Sequence, residues 1–298
     1  MKHHKDSLAD RISSWLFLSP ALIFLAITAL FPLAYSLYLS FYKLKLNLPN
    51  QEPKFVGLAN YAKMLSDDLL QVSTLNTIGF AFVSVAIEVV VGLMVAMVLC
   101  SDTWWSRVSI TVLMIPMIMA PVAIGTLWRM MLDPSTGIIN YFLSYFGVDT
   151  IQWLANPLTA KIAVVMVNVW QLVPWVTVIA VAGLKALPGD LIQAALIDGA
   201  TPRQVFWHIV LPLIRPVLVI IVMMRFTDAF KVFDTIYVMT NGGPGTATEM
   251  LPNFIYKQGL KYYDAGYAAA LAIVFVVTMT LVTLFFLRLR RKEEENVW

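Results

Sequence analysis

The sequence predicts an all-α integral membrane protein with six transmembrane helices and a short cytoplasmic helix between the fourth and the fifth. Three observations predict this fold class. The 298-residue chain is 59% hydrophobic and only 13% charged, whereas soluble domains average about 45–50% and about 25%. Its mean hydropathy is +0.76. Six apolar runs reach the length of about 20 residues that a helix needs to cross a bilayer.

The six predicted spans lie at 14–41, 76–99, 107–130, 159–184, 208–227 and 265–287. The first run is too long for the core of a signal peptide and has no clear small-residue cleavage site, so we expect an uncleaved helix. Proline is tolerated in a span when neighbouring helices satisfy the freed backbone groups. Such prolines lie in or beside the spans at Pro20, Pro32, Pro116, Pro121, Pro174, Pro212 and Pro216. The spans are therefore expected to pack as a bundle.

The charges at the two termini predict the orientation. Six spans place both termini on one side, and both are basic, with Lys2, Lys5 and Arg11 at one and Arg288, Arg290, Arg291 and Lys292 at the other. By the positive-inside rule both belong in the cytoplasm. We predict a cytoplasmic segment 1–13, a six-helix domain 14–287 and a charged cytoplasmic tail 288–298. The loop 185–207 then faces the cytoplasm as well.

The remaining composition excludes several classes of site. The net charge of +3 is explained by topology, so we expect membrane lipid and no nucleic acid as a partner. Cys100 is the single cysteine, which rules out an intramolecular disulfide and a cysteine metal cluster. Two histidines lie near the N-terminus and His208 stands alone, so no metal site is expected.

Between spans four and five, the polar stretch "LPGDLIQAALIDGATPRQVFWHIVLP" has the signals of two capped helices. Asp190 followed by Gln193 fits an acidic capping box, which predicts a helix over about 191–198. Gly199 suits its C′ position, where a positive φ is needed. Thr201, Pro202 and Gln204 then fit the N-cap, N1 and N3 of a second helix that leads into span five. Chemistry alone leaves two interpretations, a docking element for a cytoplasmic partner and an ordinary loop on the membrane surface.

The same stretch resembles the EAA motif of binding-protein-dependent ABC importer permeases. The pattern of Glu-Ala-Ala, Asp-Gly-Ala, an aromatic residue and Leu-Pro is matched by Ala194, Ala195, Asp198, Gly199, Ala200, Phe206, Leu211 and Pro212. The leading Glu is Gln193 here, which keeps the length and drops the charge. Three further stretches resemble the sugar-permease branch in the same order: "FVGLANYAKML", "LDPSTGIINYFL" and "FKVFDTIYVMTNGGPGTATE".

This resemblance implies a type I ABC importer permease in a bacterial inner membrane, importing a sugar or sugar derivative. It implies one half of a two-permease channel, expected to be a heterodimer, with two cytoplasmic ATPase subunits and an extracytoplasmic binding protein. The EAA helix would dock on the ATPase and transmit its closure to an alternating-access bundle. The implied coupling residues are Gln193, Ala194, Ala195, Asp198, Gly199, Ala200 and Phe206.

We expect no enzymatic activity and no cofactor in this chain itself. The glycine-rich "NGGPGTATE" lacks the Gly-Lys-[Ser/Thr] ending that a P-loop uses for phosphate and magnesium. It also lies in a predicted outward loop, where turn geometry explains the glycines better. ATP and Mg²⁺ are expected in the partner ATPase.

Ionisable and amide side chains within the spans are the candidates for a substrate site. Glu88 is central in span two, while Arg225 and Asp228 share a helix face at the end of span five. Asn168 and Gln171 are spaced in the same way in span four, near two tryptophans. The resemblance points to these regions of spans four and five and, more weakly, to Met117. The alternative is structural, with Arg225 paired to Asp228 or Glu88 and the amides bridging helices.

Two other function classes stay open on the residues alone. An ion-driven secondary transporter would be expected to carry more carboxylates in its spans than the one central Glu88. A membrane-embedded enzyme would be expected to cluster histidine or acidic residues at a membrane face. The sequence shows neither pattern clearly, and the resemblance favours the importer permease.

Overall fold

The structure is a computed structural model that describes residues 8–48 and 52–295. Parts of the predicted terminal segments 1–13 and 288–298 lie outside the described residues. The helices are α1 Leu8–Leu25, α2 Phe31–Ser40, α3 Ala59–Leu65, α4 Asp68–Leu99, α5 Trp104–Leu113, α6 Ile115–Ile118, α7 Pro121–Met131, α8 Ile138–Ser144, α9 Pro157–Lys185, α10 Gly189–Ile197, α11 Pro202–Val205, α12 Leu211–Phe230, α13 Asp234–Met239, α14 Leu251–Tyr256 and α15 Ala265–Glu295. Three single π-helical turns are Ala26–Leu30, Phe206–Val210 and Lys257–Lys261.

Five helical segments among the described residues are long and apolar enough to cross a membrane, and a bent pair of helices supplies a sixth. The five are Phe17–Ser40, Asp68–Leu99, Pro157–Lys185, Pro202–Phe230 and Ala265–Arg290. They coincide with predicted spans one, two, four, five and six. The second is longer than predicted at its start, because Asp67 caps α4 by accepting a hydrogen bond from the backbone N–H of Leu70. The predicted architecture is confirmed.

The prediction of one continuous third span over 107–130 is wrong in one respect. The helices from Trp104 to Ile118 and from Pro121 to Met131 meet at 94°. Met119 and Ala120 between them are extended, with ψ of 143° and 133°. Proline disfavours helical backbone at the residue before it. Pro121 therefore forces Ala120 out of the helix and starts a new one.

Two of the π turns lie immediately before a proline-bearing helix start. The N–H of Phe31 bonds to the Ala26 carbonyl, one residue before Pro32. The N–H of Leu211 bonds likewise to the Phe206 carbonyl before Pro212. Proline has no N–H for an ordinary helical bond and crowds the carbonyl four residues back. A wider turn accommodates this defect without ending the span.

The described chain divides into two compact units, one reaching Ser66 and including Ile255–Val277, the other formed by Asp67–Phe254 and the residues from Thr278 onward. The smaller unit contains a strand pair that the all-α prediction did not include, β1 Tyr42–Lys43 against β2 Lys54–Phe55. Within this unit Lys63 pairs with Asp264 at 3.4 Å. The larger unit contains all candidate site residues.

The core of the larger unit lies where α4, α9 and α12 meet. Its buried side chains are Leu93, Ala96, Val176, Ala180, Val181, Ile214 and Ile221. Gly92 of α4 faces α9 so closely that an added Cβ would lie 2.6 Å from Val176 Cγ1. Thr177 of α9 also donates a 3.3 Å hydrogen bond to the Gly92 carbonyl. Small residues let spans approach closely in this way.

Gly92→Ala is expected to lower the thermal stability of the purified protein, because the new methyl group overpacks the α4–α9 contact at a cost of about 1–3 kcal/mol. Gly79→Ala is the matched control on the same helix, since nothing lies within 4 Å of its added Cβ. Denaturation midpoints in detergent compare the two. Equal midpoints for both variants would contradict the close approach at Gly92.

Candidate functional site

One cavity of about 270 Å³ brings together four of the side chains that the sequence singled out. Asn168 and Gln171 reach it from α9, and Arg225 and Asp228 reach it from α12. The spacing of three residues within each pair places both members on one helix face, as predicted. The rest of the lining includes Pro121, Leu172, Lys231, Phe233, Asp234 and Thr235.

Glu88 does not line this cavity but holds two of its side chains. The carboxylate has no exposed surface, and its two oxygens contact different spans. Oε2 accepts a 2.8 Å hydrogen bond from Arg225 Nε. Oε1 accepts a 2.7 Å bond from Asn168 Nδ2. Spans two, four and five are therefore joined through one buried carboxylate.

The positive charge of Arg225 is shared between two carboxylates. Besides Glu88, its Nη1 donates to Asp228 Oδ2 at 3.3 Å, and Lys231 pairs with the other oxygen of Asp228 at 3.4 Å. The side chains of Asp228 and Lys231 are 53% and 52% exposed, whereas that of Arg225 is 4% exposed. The guanidinium also lies 5.9 Å from the ring centroid of Trp175. Arg225 is therefore paired with both Glu88 and Asp228, as the structural interpretation of these residues predicted, and the pairs lie in the wall of the cavity.

The remaining candidate, Met117, lies half-buried in α6 and is not part of this lining. Sequence reasoning missed Lys231, Phe233, Asp234 and Thr235, which follow the end of span five. The predicted span stopped at 227, and α12 continues to Phe230. The signal for these residues was the polar and aromatic run directly after the last apolar turn.

The polar segment between spans four and five forms helix, tight turn and helix, as predicted. Gly199 has φ +86°. Its N–H bonds to the Leu196 carbonyl, and the N–H of Ala200 bonds to the Ala195 carbonyl, which is the Schellman arrangement. Thr201 and Gln204 form a complete capping box around Pro202. These two devices fix the turn between α10 and α11.

The predicted capping role of Asp190 is wrong. Helix α10 begins at Gly189, its N-cap is Pro188, and no side chain caps it. Asp190 lies in the first turn, two residues after the cap position, because the extended backbone of Pro188 (ψ 111°) already marks the start of the helix. Its carboxylate still has a favourable position near the helix N-terminus.

The residues that match the EAA motif are divided between a surface and the core. Gln193, Ala194, Asp198 and Gly199 are exposed, as are the apolar side chains of Leu191, Leu196 and Ile197. Ala195 and Ala200 are half-buried. Phe206 packs against the buried cluster at which α4, α9 and α12 meet. One end of the segment therefore presents apolar surface while the other is anchored in the bundle.

An ion pair lies at the base of this segment. Lys185, the last residue of α9, pairs with Asp102 in the loop after α4 and lowers the pKa of that carboxyl from its usual range. The Asp102 side chain is 81% exposed, so the pair contributes little stability. The pair connects the C-terminal end of α9 to the loop that follows α4, next to the start of α10.

Two loops that follow spans three and five have well-defined turns. Asp133 accepts hydrogen bonds from the backbone N–H groups and hydroxyls of Thr136 and Ser135, which lower the pKa of its carboxyl to about 2. In the second loop, Gly242 and Gly245 have φ of +87° and +58°. Turn geometry thus accounts for these glycines.

Comparison with known proteins identifies the chain's family. The sequence profile of the family described as "Binding-protein-dependent transport system inner membrane component" matches residues 88–294, which is more than half of the chain. The chain belongs to this family. It is therefore a membrane-spanning transport component, and the ion-driven alternative is not favoured.

Relatives within this family match nearly the whole chain. The trehalose/maltose transport system permease protein MalF of Thermococcus litoralis is 35% identical over 93% of this chain and 93% of its own length. The sulfoquinovosyl glycerol transport system permease protein SmoG of Agrobacterium fabrum is 32% identical over 96% of this chain and 93% of its own. Because both alignments cover more than nine-tenths of the chain, they extend well before Glu88.

The fold of this chain is also found in a solved transporter. A crystal structure of a bacterial ABC transporter involved in the import of the acidic polysaccharide alginate contains a chain that superposes with a TM-score of 0.81. It covers 95% of this chain and 98% of its own, at 22% identity. The predicted type I ABC importer permease fold is confirmed.

Proposed function

We propose that this chain is one permease subunit of an ATP-driven importer for a sugar or sugar derivative. The main support is that relatives aligned over more than nine-tenths of the chain are named as permease proteins of transport systems for trehalose/maltose and for sulfoquinovosyl glycerol. In this proposal the bundle exposes its substrate path alternately to the two sides of the membrane. The cavity at spans four and five is the substrate-binding part of that path.

The chemistry of the cavity suits a sugar. The amides of Asn168 and Gln171 can donate to and accept from hydroxyl groups. Arg225 lines the same cavity, and its Nη2 is a buried donor with no acceptor among the described residues. Phe233 supplies an aromatic side chain to the same lining, against which the C–H face of a sugar ring can pack. At about 270 Å³ the space is smaller than the roughly 300–1,000 Å³ of drug-sized ligand pockets. It fits one sugar ring.

The second part of the proposal concerns coupling to ATP hydrolysis. Helix α10 and the turn after it would dock on a cytoplasmic ATPase, with Gln193, Ala194, Asp198 and Gly199 at the contact. The exposed side chains of Leu191, Leu196 and Ile197 would be buried there. Phe206 would carry the movement into the bundle, since it packs on the core of spans two, four and five.

The complete assembly would contain a second permease, two ATPase subunits and an extracytoplasmic binding protein. A partner permease that differs from this chain would make the channel a heterodimer. ATP and Mg²⁺ would be bound by the ATPase subunits, and this chain would hold no cofactor. The surrounding partner would be lipid of a bacterial inner membrane, with both termini in the cytoplasm.

A cysteine placed at Thr246 is expected to react with an impermeant thiol reagent added outside intact cells, and a cysteine at Arg203 is not. Both positions are exposed, so orientation alone decides. Cys100 is replaced first to remove the background. Labelling at Arg203 without labelling at Thr246 would reverse the proposed orientation. A further outward position, Asn50, lies outside the described residues.

Gln171→Ala is expected to weaken sugar transport roughly 2- to 13-fold, because a lost neutral hydrogen bond costs about 0.5–1.5 kcal/mol. Asn168→Ala is expected to have a larger effect, because it also removes the hydrogen bond to the buried carboxylate of Glu88. The assay measures uptake of trehalose, maltose and other saccharides by proteoliposomes that contain all partners. Thr126→Ala is the control, since that hydroxyl bonds to the Val122 carbonyl of its own helix outside the cavity.

Two outcomes would count against the proposal. Normal uptake by both cavity variants would remove the site assignment while leaving the importer function intact. An assembly that takes up no saccharide, and that hydrolyses ATP only in response to another class of solute, would overturn the substrate class itself.

A further inference from the structure

The charges at the cavity carry information about which sugars it accepts. Five charged side chains lie in its lining or contact it from behind: Glu88, Arg225, Asp228, Lys231 and Asp234. Three are negative and two are positive, so the cavity has a negative balance. An anionic substrate would have to enter against this balance, and the two cations are already paired with carboxylates.

Among these charged residues, Glu88 is the one whose side chain is fully shielded from water. Its carboxylate and the Arg225 side chain are 0% and 4% exposed, so their charges interact with little solvent screening. Asp228 and Lys231 are half-exposed and Asp234 is exposed, and their charges are screened. Glu88 therefore has the largest influence on the potential that Arg225 presents to the cavity.

Glu88 also fixes the geometry of two cavity side chains from behind. Nε of Arg225 already donates to Glu88 at 2.8 Å and Nη1 donates to Asp228 at 3.3 Å, so any bidentate grip on an acid group would have to share a nitrogen that is already bonded to a carboxylate. With Nδ2 of Asn168 held at 2.7 Å, the Asn168 amide has a set orientation, and its Oδ1 remains as an acceptor. Both restraints favour single hydrogen bonds to hydroxyl groups over capture of an anion.

We propose that Glu88 is a positioning residue that makes the cavity selective for an uncharged sugar and against an anionic one. This inference rests on the proposed substrate site. It assigns Glu88 no contact with the substrate; the residue acts through Arg225 and Asn168.

The test uses glucose and glucuronate, two probes that differ by one carboxylate. Equilibrium binding of each radiolabelled probe is measured on the purified permease pair with its ATPase, without binding protein. The wild-type assembly is expected to prefer glucose. Glu88→Gln keeps the shape and removes the charge, and we expect it to shift the glucose-to-glucuronate ratio toward glucuronate by about tenfold or more. Glu88→Asp retains the charge and should keep the wild-type ratio even where both affinities fall.

A second variant guards against misfolding of Glu88→Gln. Asp228→Asn removes a half-exposed negative charge from the same arginine, and its shift should have the same direction and a smaller size. A ratio that stays at the wild-type value in both neutral variants, with folded assemblies, would overturn the inference and assign Glu88 a structural role. Wild-type assembly that binds neither probe while importing saccharides would instead show that the substrate site lies elsewhere, and the inference would fall with it.

Discussion

Replacing Arg225 by alanine is expected to destabilise the folded protein by about 3–5 kcal/mol, because it leaves the buried carboxylate of Glu88 without its cation. Glu88 has no exposed surface. Its other hydrogen bond, from Asn168, is to a neutral amide. The expected observation is a large fall in the denaturation midpoint in detergent, together with loss of transport.

Two further variants show whether the unpaired charge is the cause. Glu88→Leu combined with Arg225→Met removes the pair as a whole and should recover most of the lost stability, since an apolar pair of similar size replaces a buried ion pair at little cost. Asp228→Asn should change the midpoint only slightly, because that carboxylate is 53% exposed. If Arg225→Ala denatures at the wild-type temperature, Glu88 is not held as a buried anion.

Gly199→Val is expected to uncouple ATP hydrolysis from transport. The residue has φ +86° in the turn between α10 and α11. For an ordinary side chain the left-handed region costs roughly 1–2 kcal/mol, and a β-branched residue is disfavoured further. Nothing lies within 4 Å of an added Cβ, so the effect is one of backbone conformation rather than of steric overlap. Binding-protein-stimulated ATP hydrolysis should fall about tenfold or more when the turn deforms.

Three controls accompany this variant. Gly199→Asn should retain most activity, because asparagine tolerates the left-handed conformation. Gly189→Ala should be close to wild type, since Gly189 has open space and no positive φ. Gln193→Glu should be tolerated, as it restores the residue that the EAA motif usually has. Wild-type coupling in Gly199→Val would show that the turn conformation is not what the ATPase contact requires.

Features that depend on residues close together in the sequence were predicted better than features that depend on contacts between distant residues. The spans follow from hydropathy, because bilayer thickness sets both their length and their composition. The turn at Gly199 and the capping box at Thr201 were predictable because their hydrogen bonds join residues at most five positions apart. The start of α10 was misplaced because Asp190 fits a cap by type, while Pro188 and Gly189 already begin the helix.

The break in span three and the hydrogen bonds around Glu88 could not be predicted from the sequence. Pro116 and Pro121 were visible, but prolines also occur within continuous spans such as α9, so residue type does not give the 94° bend. The Arg225–Asp228 pair is three residues apart and could be predicted from helix geometry. The hydrogen bonds that Glu88 accepts from Asn168 and Arg225 join positions 80 and 137 residues apart. They depend on how α4, α9 and α12 pack.

The π turn at Phe206–Val210 has a consequence for insertions and deletions. Such a turn accommodates one residue more than an α-helical turn, and one residue corresponds to about 100° of rotation about the helix axis. The azimuth of α11 and of the helix before it, relative to the Leu211–Phe230 span, is therefore set by how many residues the turn holds. Substitutions within it leave that angle unchanged. Deletion of one residue would convert it to an α turn and rotate the exposed residues of α10 by roughly a quarter of a circle about the axis of the span.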